Sequence, residues 1–347
     1  MLRAAPLRFL GMIGTLLFGS SRGARPETRT PSEAMRAALV TNPRAGNGKG
    51  MRAARQAQAV LREAGWRVAI AATEGPGDGT RLAEQAAGAL CGVVLACGGD
   101  GTLSEVLAGL RGTTVVAGVI PAGTGNDFCR TVGIHPDPAR AARQLLEGEI
   151  AAVDMLAVGD STLLSVNIVG TGFDARVAQR INRRRRLTAG RLAYLSAVGQ
   201  ELLRYRPGAF RVEADGMQWE GPALLVAVAN ARSYGAGMLI APQARIDDGL
   251  LDVVVVEDMG RWAFLRAFPR VFRGAHLDHP AVHTWQGREV TVTSLGDPMP
   301  VLVDGDIRCE TPLAIRVIPR AARMLLPKGW QQTGEAAMEP VRSPARA

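Results

Sequence analysis

The residues best suited to chemistry lie in a glycine-rich stretch between an apolar run and a helical pattern. Residues 97–105 read Cys-Gly-Gly-Asp-Gly-Thr-Leu-Ser-Glu and follow the apolar run 92–96. The apolar side chains of residues 103–110 recur at helical spacing, so a strand turns into a helix through three glycines. Such a turn leaves backbone N–H groups open at a helix N-terminus, where the helix dipole also favours an anion. The stretch predicts a phosphate site, in which Asp100 orients the loop or helps to hold a bridging metal.

A second glycine-rich turn follows. It strengthens the prediction of a phosphate site, which a single turn of this kind would not support. Residues 121–128 read Pro-Ala-Gly-Thr-Gly-Asn-Asp-Phe and come after the apolar run 114–120. The carboxyl ends of successive parallel strands meet at one edge of an open α/β sheet, where ligands bind. Thr102, Thr124 and Asn126 supply side chains there that can hold a nucleotide.

Two other stretches offer charged groups. Lys49 follows a glycine-rich turn and is one of only two lysines in the chain, the other being Lys328. It could reach a transferred phosphoryl group, although a lysine at a helix N-terminus is more often a solvated charge. The Asp-Asp-Gly turn at 247–249 offers carboxylate and carbonyl oxygens to a hard cation, but such turns are common without a metal.

Alternating strand and helix patterns must position the two glycine-rich loops. Short turns between these patterns indicate a doubly wound parallel sheet. The predicted strands are 36–41, 66–71, 92–96 and 114–120, and the predicted helices are 51–64, 79–89, 103–110 and 138–147, the last with Asp137 as N-cap.

After Gly133 the pattern changes to strand-like runs with little helix between them, which indicates a mostly antiparallel β region. The predicted strands are 152–158, 162–168, 210–214, 223–229 and 250–256. A third glycine-rich turn is predicted at 167–174, joining a strand to a helix. The four arginines at 183–186 and a helix at 191–204 could face anionic lipid, and a solvated charged face explains them equally well.

The two loops, together with Asn42-Pro43-Arg44-Ala45-Gly46 upstream, resemble the soluble diacylglycerol-kinase-like lipid kinases of bacteria. The catalytic domains of sphingosine and ceramide kinases share this pattern. The first loop alone also resembles NAD kinases and phosphofructokinases, whereas the three motifs in this order are specific. The resemblance extends from Arg36 to Pro327.

The resemblance implies an α/β plus β fold. An N-terminal doubly wound parallel nucleotide-binding domain would precede a mostly antiparallel β-sandwich domain, with the active site in the cleft between them. The expected divisions are a leader at 1–35, an ATP-binding catalytic domain at 36–140, a lipid-substrate domain at 141–327 and a tail at 328–347. Whether the final strands pack against the first domain is left open.

The resemblance also implies roles for individual residues. Asp304 fits the general base, and Asp306 stands where the family usually has Glu; Asp100 and Lys49 complete the expected catalytic set. A structural Mg²⁺ would be held by the Asp248 side chain and the backbone oxygens of Arg245 and Leu250. The expected ATP-binding residues are Asn42, Arg44, Thr73, Gly98, Gly99, Asp100, Gly101, Thr102, Leu103, Ser104, Thr124 and Asn126.

The implied activity is that of an ATP-dependent lipid kinase, with ATP and Mg²⁺ as cofactors. The γ-phosphate would pass to the hydroxyl of diacylglycerol, giving phosphatidic acid, or of a related lipid alcohol, whose acyl chains would lie against an apolar wall of the second domain. The alternatives are an NAD kinase-like enzyme and a catalytically inert lipid- or nucleotide-binding regulator.

Composition limits the partners and the setting. The chain has 347 residues and a formal net charge of +9, which suits nucleic acid, an anionic membrane or phosphorylated ligands. No nucleic-acid module is recognisable, so we expect no nucleic-acid partner. The four cysteines form no CxxC pair, which favours a reducing cytoplasm. We expect peripheral association with the inner face of the membrane, and a homodimer is left open.

The remaining features are ambiguous. The apolar stretch 9–18 in the leader is too short to span a bilayer comfortably. It is compatible with a membrane-surface anchor, an export signal or an upstream start codon. His276, His279 and His283 lie close together in the sequence, but their spacing matches no familiar metal-ligand pattern, so an exposed loop is the expectation.

Overall fold

The structure is a computed structural model that describes residues 35–160, 163–184, 205–235 and 237–333. Its first half alternates strands and helices, as the apolar periodicity predicts. The strands are β1 (Arg36–Thr41), β2 (Arg67–Ala72), β3 (Val93–Gly98) and β4 (Val116–Pro121). The helices are α1 (Ala45–Gly48), α2 (Gly50–Glu63), α3 (Asp78–Gly88), α4 (Asp100–Leu110), α5 (Asp127–Thr131) and α6 (Pro138–Leu146).

The four strands are parallel and lie in the order β2, β1, β3, β4. Every residue of β3 and β4 is buried, which is expected of parallel strands covered on both faces by helices. Helix α2 packs beside α6, and α3 packs beside α4. The chain order reverses between β1 and β3, and the glycine-rich loop that follows β3 lies at this topological switch point.

The second half is dominated by antiparallel strands. Helices α7 (Phe173–Arg184) and α8 (Arg261–Ala267) and three 3₁₀ segments, Phe268–Arg273, Ala275–Asp278 and Trp330–Thr333, interrupt it. The strands are β5 (Glu149–Val158), β6 (Leu163–Ser165), β7 (Ile168–Gly172), β8 (Gly208–Ala214), β9 (Met217–Ala229), β10 (Leu251–Glu257), β11 (Val282–Gly287), β12 (Glu289–Ser294), β13 (Pro300–Val303), β14 (Asp306–Glu310) and β15 (Leu313–Leu326).

The long strand β15 connects the two halves of the chain. It pairs antiparallel with β12 and β5 and, through Met324 and Ala117, parallel with β4. The question that the sequence left open is thereby answered, because the last strand does return to the first half. The strands consequently form one continuous hydrogen-bonded sheet rather than two separate ones.

The structure corrects two predictions in the second half. The predicted strand 162–168 is broken into β6 and β7, because the N–H groups of residues 166–168 donate to the carboxylate of Asp304. The predicted turn at 167–174 is mostly the strand β7, followed at Phe173 by α7. Gly170 is needed inside this strand because the Asp174 carboxylate occupies the space that a Cβ would take.

The predicted helix boundaries agree with the structure more closely than these two predictions do. Helix α6 begins at Pro138, and the Asp137 side chain caps it by accepting from the Arg140 N–H at 2.9 Å. Helix α4 begins at Asp100, three residues before the predicted start. The leader 1–34, most of the predicted helix-and-arginine segment (185–204) and the tail 334–347 lie outside the described residues. Among those described, no helix combines the length and the apolar character that crossing a membrane requires.

Candidate active site

The two glycine-rich loops are in direct backbone contact. The carbonyl oxygen of Gly98 accepts from the N–H groups of Ala122 at 2.9 Å and Gly123 at 3.0 Å. A Cβ added to Gly123 would lie 2.5 Å from the Cα of Gly99. Glycine is therefore required there for a close approach of two main chains, and the loops form one surface at the carboxyl edge of the sheet.

Asp100 joins the same two loops through its side chain. Its two carboxylate oxygens accept from the backbone N–H groups of Asp127 at 3.0 Å and Phe128 at 2.9 Å, at the start of α5. The contact is that of a residue that orients the loops, the first of the two roles considered from the sequence. The N–H groups of Gly99, Asp100 and Gly101, at the N-terminus of α4, have no acceptor among the described residues.

A groove with a volume of about 470 Å³ runs between the second loop and the start of α2. It brings together Lys49, Thr124 and Asn126, three residues that the sequence placed in the site. The Lys49 and Thr124 side chains are exposed. The Asn126 side chain instead closes its own loop, since its amide group exchanges two hydrogen bonds with the main chain of Gly123.

The other expected ATP-binding residues of the first two strands lie at the same edge. The Asn42 side chain, just after β1, accepts from the Arg44 N–H at 2.9 Å, and the Arg44 side chain is exposed. The Thr73 N–H, just after β2, donates to the Thr41 carbonyl oxygen at 2.8 Å. Both strand ends therefore open towards the side of the sheet that carries the glycine-rich loops.

Two residues of the first loop face inward. The Thr102 side chain is buried beside Gly98, and the Leu103 side chain is fully buried in the core. The N–H groups of both residues donate to the Gly99 carbonyl oxygen at 3.1 Å. In this arrangement Thr102 and Leu103 shape the loop, while Gly99, Asp100 and Gly101 present its open N–H groups.

Asp304 lies against the first loop with its carboxylate surrounded by donors. The Ser104 hydroxyl donates to it, and the Ser165 hydroxyl donates at 2.7 Å. Three backbone N–H groups, those of residues 166–168, donate at 3.1–3.3 Å. Burial raises the pKa of Asp304, and the negative charge of Asp100 raises it further, while the two serine hydroxyls act in the opposite direction.

Asp306 reaches the same loop from a more open position. Its side chain is 51% exposed and pairs with Arg308 at 3.3 Å. A Cβ added to Gly101 would lie 3.7 Å from the Asp306 Oδ2 atom. Although Asp306 is one methylene shorter than Glu, its carboxylate therefore lies beside the open N–H groups of the loop, and both carboxylates of the Asp-Gly-Asp turn adjoin it.

Sequence reasoning missed several residues that position this site. The sequence around Ser165 indicates only an apolar strand, and nothing local indicates that its hydroxyl contacts a residue 139 positions away. Glu105 accepts from the N–H groups of Gly77 and Gly79, each at 2.9 Å, and so ties α4 to the start of α3. Glu105 directly follows the first loop, but the packing of α4 against α3 determines its partners, so the local sequence does not indicate them.

The expected metal-binding residues lie apart from the loops, near β5 and β15. The Asp248 side chain accepts from the Leu250 N–H at 3.0 Å, and Arg245 pairs with Asp247. Asp154, which the sequence did not single out, accepts from the Gly249 and Arg320 N–H groups. Desolvation, followed by the nearby charges of Asp154 and Asp247, raises the pKa of Asp248.

The three histidines have separate partners. His276 is buried and its Nε2 atom lies 3.0 Å from the Ile240 carbonyl oxygen, whereas His283 pairs with Glu257 at 2.9 Å. The His279 ring accepts from the Ala281 N–H. In the described parts of the chain, no three His, Cys, Asp or Glu side chains are grouped so that they could hold a metal ion.

A second, apolar cavity of about 50 Å³ lies beyond the far end of β7. Its walls include Phe173, Phe264, Phe268 and Val271. One wall carries Asp174, whose pKa is raised by burial to about 6. Strand β7 spans the distance between this cavity and Asp304, because the Asp304 N–H donates to the carbonyl oxygen of Ile168 at 3.2 Å.

Known proteins are similar to this chain over nearly the whole of its described part. Residues 36–158 match the family model of the diacylglycerol kinase catalytic domain. Residues 167–326 match that of the YegS C-terminal NAD kinase beta sandwich-like domain. A diacylglycerol kinase of Mycobacterium tuberculosis is 36% identical over 294 residues, which cover 83% of this chain and 94% of that protein. This chain belongs to the diacylglycerol kinase family.

Another relative and one solved structure are similar to this chain over most of its length. The Bacillus subtilis diacylglycerol kinase is 28% identical over 296 residues, covering 84% of this chain and 97% of that protein. A diacylglycerol kinase of Bacillus anthracis, known from its crystal structure, aligns with a TM-score of 0.66 and 21% identity. That alignment covers 86% of this chain and 98% of the other, so the expected fold is confirmed.

Proposed function

We propose that this protein is an ATP-dependent lipid kinase that transfers the γ-phosphate of ATP to the hydroxyl of diacylglycerol or a related lipid alcohol. The observation that carries the proposal is the contact between Asp304 and Ser104. It joins a carboxylate able to accept a proton to a loop able to hold a phosphate. The names of the relatives support the same reaction class.

The proposed role of the two loops is to hold the nucleotide. Phosphoryl transfer depends mainly on positioning and on neutralising charge, with little covalent chemistry for the protein to perform. The open N–H groups of Gly99, Asp100 and Gly101 would receive phosphate oxygens at the N-terminus of α4. Lys49 and Thr124 line the adjoining groove and would bind the rest of the nucleotide.

The proposed role of Asp304 is that of general base, with Asp306 as the second candidate. The lipid hydroxyl would give its proton to the carboxylate while its oxygen attacks the γ-phosphorus. The bond to the β-phosphate oxygen breaks and ADP leaves. Desolvation raises the pKa of Asp304, which makes its carboxylate a stronger base than a fully solvated one and suits this task. The Ser104 hydroxyl now bound to Asp304 occupies a position where an acceptor hydroxyl could bind.

Mg²⁺ is part of the proposal as the cation that neutralises phosphate charge. At the expected structural site, the Asp248 carboxylate and main-chain oxygens are hard donors of the kind this ion prefers. The pKa of Asp248 is raised partly by neighbouring carboxylates, whose mutual repulsion a bound cation would relieve. Asp248, with the main chain of Arg245 and Leu250, therefore fits a cation that stabilises the fold near β5.

The acceptor is proposed to be a lipid because a small apolar cavity lies at the far end of β7 from Asp304 and could receive the end of an acyl chain. The five residues of β7, at about 3.3 Å each, separate the cavity from Asp304 by roughly 16 Å. An acyl chain can span this distance. The cavity walls are apolar apart from a few groups such as Asp174 and His276. Such a substrate places the enzyme at the inner face of a membrane, where ATP is available.

In the direct test, the purified protein is incubated with γ-labelled ATP and one of two acceptors, dispersed diacylglycerol or NAD⁺. We expect label in the lipid and none in the dinucleotide. The NAD⁺ arm matters because the C-terminal family model is described as NAD kinase-like. Label in NAD⁺ alone would replace the proposal by that alternative.

The Asp100→Ala variant gives this assay a built-in check. Without the Asp100 carboxylate, the first loop loses its hydrogen bonds to the start of α5. A displacement of the loop by about 1 Å would lower the rate on the order of 100-fold. We expect turnover to fall by at least that factor while the circular dichroism spectrum is retained. Full activity in Asp100→Ala would remove the loop contact from the mechanism.

A further inference from the structure

One segment of the second half exposes apolar and basic side chains together. It runs from Arg261 to Arg273, as α8 followed directly by the 3₁₀ helix Phe268–Arg273, between Gly260 and Gly274. We call its outward surface the docking face. The docking face consists of the exposed residues Arg261, Trp262, Leu265, Arg266, Arg270, Phe272 and Arg273.

The apolar members of the docking face are unusually open to solvent. Trp262 is 80% exposed, Leu265 is 46% exposed and Phe272 is 39% exposed. Apolar side chains clustered in this way on a surface mark an interaction site more often than isolated ones do. Tryptophan in particular suits the boundary between water and hydrocarbon, since it combines an apolar ring with an N–H donor.

The charges of the segment all have one sign. Its thirteen residues contain four arginines and no acidic residue. Nearby acids are engaged: Glu257 pairs with His283, Asp258 accepts from the Gly260 N–H, and Asp278 pairs with Arg270 at 3.5 Å.

The other three arginines lack such partners. Arg261, Arg266 and Arg273 have no carboxylate within ion-pair distance among the described residues. Their guanidinium groups therefore remain available to anions, while their aliphatic stems can lie along an apolar surface.

We propose that the docking face binds the surface of an anionic phospholipid bilayer. A short amphipathic segment with exposed Trp, Leu and Phe among arginines lies in the plane of the interface and gains from both apolar burial and charge. A second copy of the chain is a poorer fit, because it would bring the same four positive charges against each other.

The inner side of the same segment explains what docking would achieve. Phe264, Ala267, Phe268 and Val271 line the apolar cavity beyond β7. Docking would thus bring the wall of the cavity to the bilayer, so that the end of an acyl chain could enter the cavity without crossing water. This use of the face rests on the proposed lipid kinase function, whereas the binding itself does not require turnover.

The test measures vesicle binding by the full chain without ATP. Vesicles of phosphatidylcholine with phosphatidylglycerol are compared with phosphatidylcholine alone, by sedimentation. We expect Arg266→Gln to weaken binding to the anionic vesicles about fivefold and Arg266→Glu by roughly the square of that factor. The matched control is Arg55→Glu, an exposed arginine on α2, which should bind as the parent does.

A local readout separates this face from any other membrane-binding part of the chain. Quenching of tryptophan fluorescence by brominated lipid should occur in the parent protein and be largely lost in Trp262→Phe. Quenching that persists in Trp262→Phe, or vesicle binding without any quenching in the parent, would overturn the proposal.

Two other outcomes would also decide against it. Self-association of the parent in the absence of lipid, abolished in Trp262→Ala, would make the face a contact between copies. Equal binding to the two kinds of vesicle would remove the charge argument. Because no ATP is present, a failure of phosphoryl transfer would leave these results unchanged, so the two proposals fail separately.

Discussion

At the scale of single residues, the two carboxylates of the Asp-Gly-Asp turn differ in surroundings. Asp304 accepts five hydrogen bonds and is partly buried, whereas the Asp306 side chain is half exposed and pairs with Arg308. The sequence identified both residues but not this difference. The donors to Asp304 come from residues 104 and 165–168, and only folding brings these beside residue 304.

The first prediction separates the two carboxylates. Asp304→Asn should lower kcat by roughly 100- to 10,000-fold, the usual contribution of a general base. Asp306→Asn should lower kcat by less, because its carboxylate is not the proton acceptor in this account. Steady-state kinetics on dispersed diacylglycerol provide the measurement, with thermal melting of both variants to confirm folding. A larger loss in Asp306→Asn would transfer the role to that residue.

The second prediction concerns the pH dependence of Asp304. Its base form is the ionised one, so activity falls as the pH decreases through its pKa. The Ser165 hydroxyl stabilises the ionised form and lowers the pKa. Ser165→Ala should therefore raise the pKa and move the acidic limb of the kcat profile to higher pH.

The matched control is Ser233→Ala, which removes another buried serine hydroxyl that contacts Asp127 instead. Its acidic limb should coincide with that of the parent. An unshifted limb in Ser165→Ala would mean that Asp304 only holds the turn and does not accept the proton. A purely structural role would lower the rate at every pH without changing the shape of the profile.

At the scale of elements, the glycine-rich loops work because two main chains approach at Gly99 and Gly123. The third prediction is that Gly123→Ala separates the loops and lowers kcat/KM by on the order of 100-fold, since small misplacements carry such costs. Gly88→Ala is the control, because a Cβ there meets nothing within 4 Å. It should retain activity and stabilise α3 by roughly 0.5–1 kcal/mol. Equal kinetics for the two variants would contradict the loop contact.

The elements also show what the sequence could predict. Strands β1, β3 and β4 were located to within a few residues because strands buried on both faces are continuous apolar runs. The break between β6 and β7 was not predictable, since its cause is the Asp304 carboxylate, 136 or more residues away. Asp154 and Glu105 escaped notice for the same reason, as their partners are set by tertiary packing.

At the scale of the whole molecule, β15 makes the two halves of the chain interdependent. It pairs with β5 and β12 and also with β4. The domain boundary expected at residue 140 stays a prediction. The two family models divide the chain later, between residues 158 and 167. A shared strand, however, implies that neither half keeps its fold when the other is lost.

The fourth prediction follows from that connection. Heat should unfold the protein in one transition, with equal calorimetric and van't Hoff enthalpies. Leu95→Ala, in β3, should destabilise it by about 2–5 kcal/mol. Leu95→Ala should also lower the unfolding midpoint temperature equally in both halves of the chain. The two probes are the fluorescence of Trp285, in β11, and that of Trp66, next to β2. Two transitions, or an unchanged Trp285 midpoint, would show that the halves unfold independently.

Whether this member of the family phosphorylates a lipid can be measured without choosing the lipid in advance. The purified protein is incubated with γ-labelled ATP, Mg²⁺ and a total lipid extract, and the lipids are separated by chromatography. We expect a labelled phospholipid, which is phosphatidic acid if diacylglycerol is the acceptor, and at least about 100-fold less label with Asp304→Asn. ATP binding without any labelled lipid would rule out the lipid kinase activity and favour an inert regulator or a water-soluble acceptor.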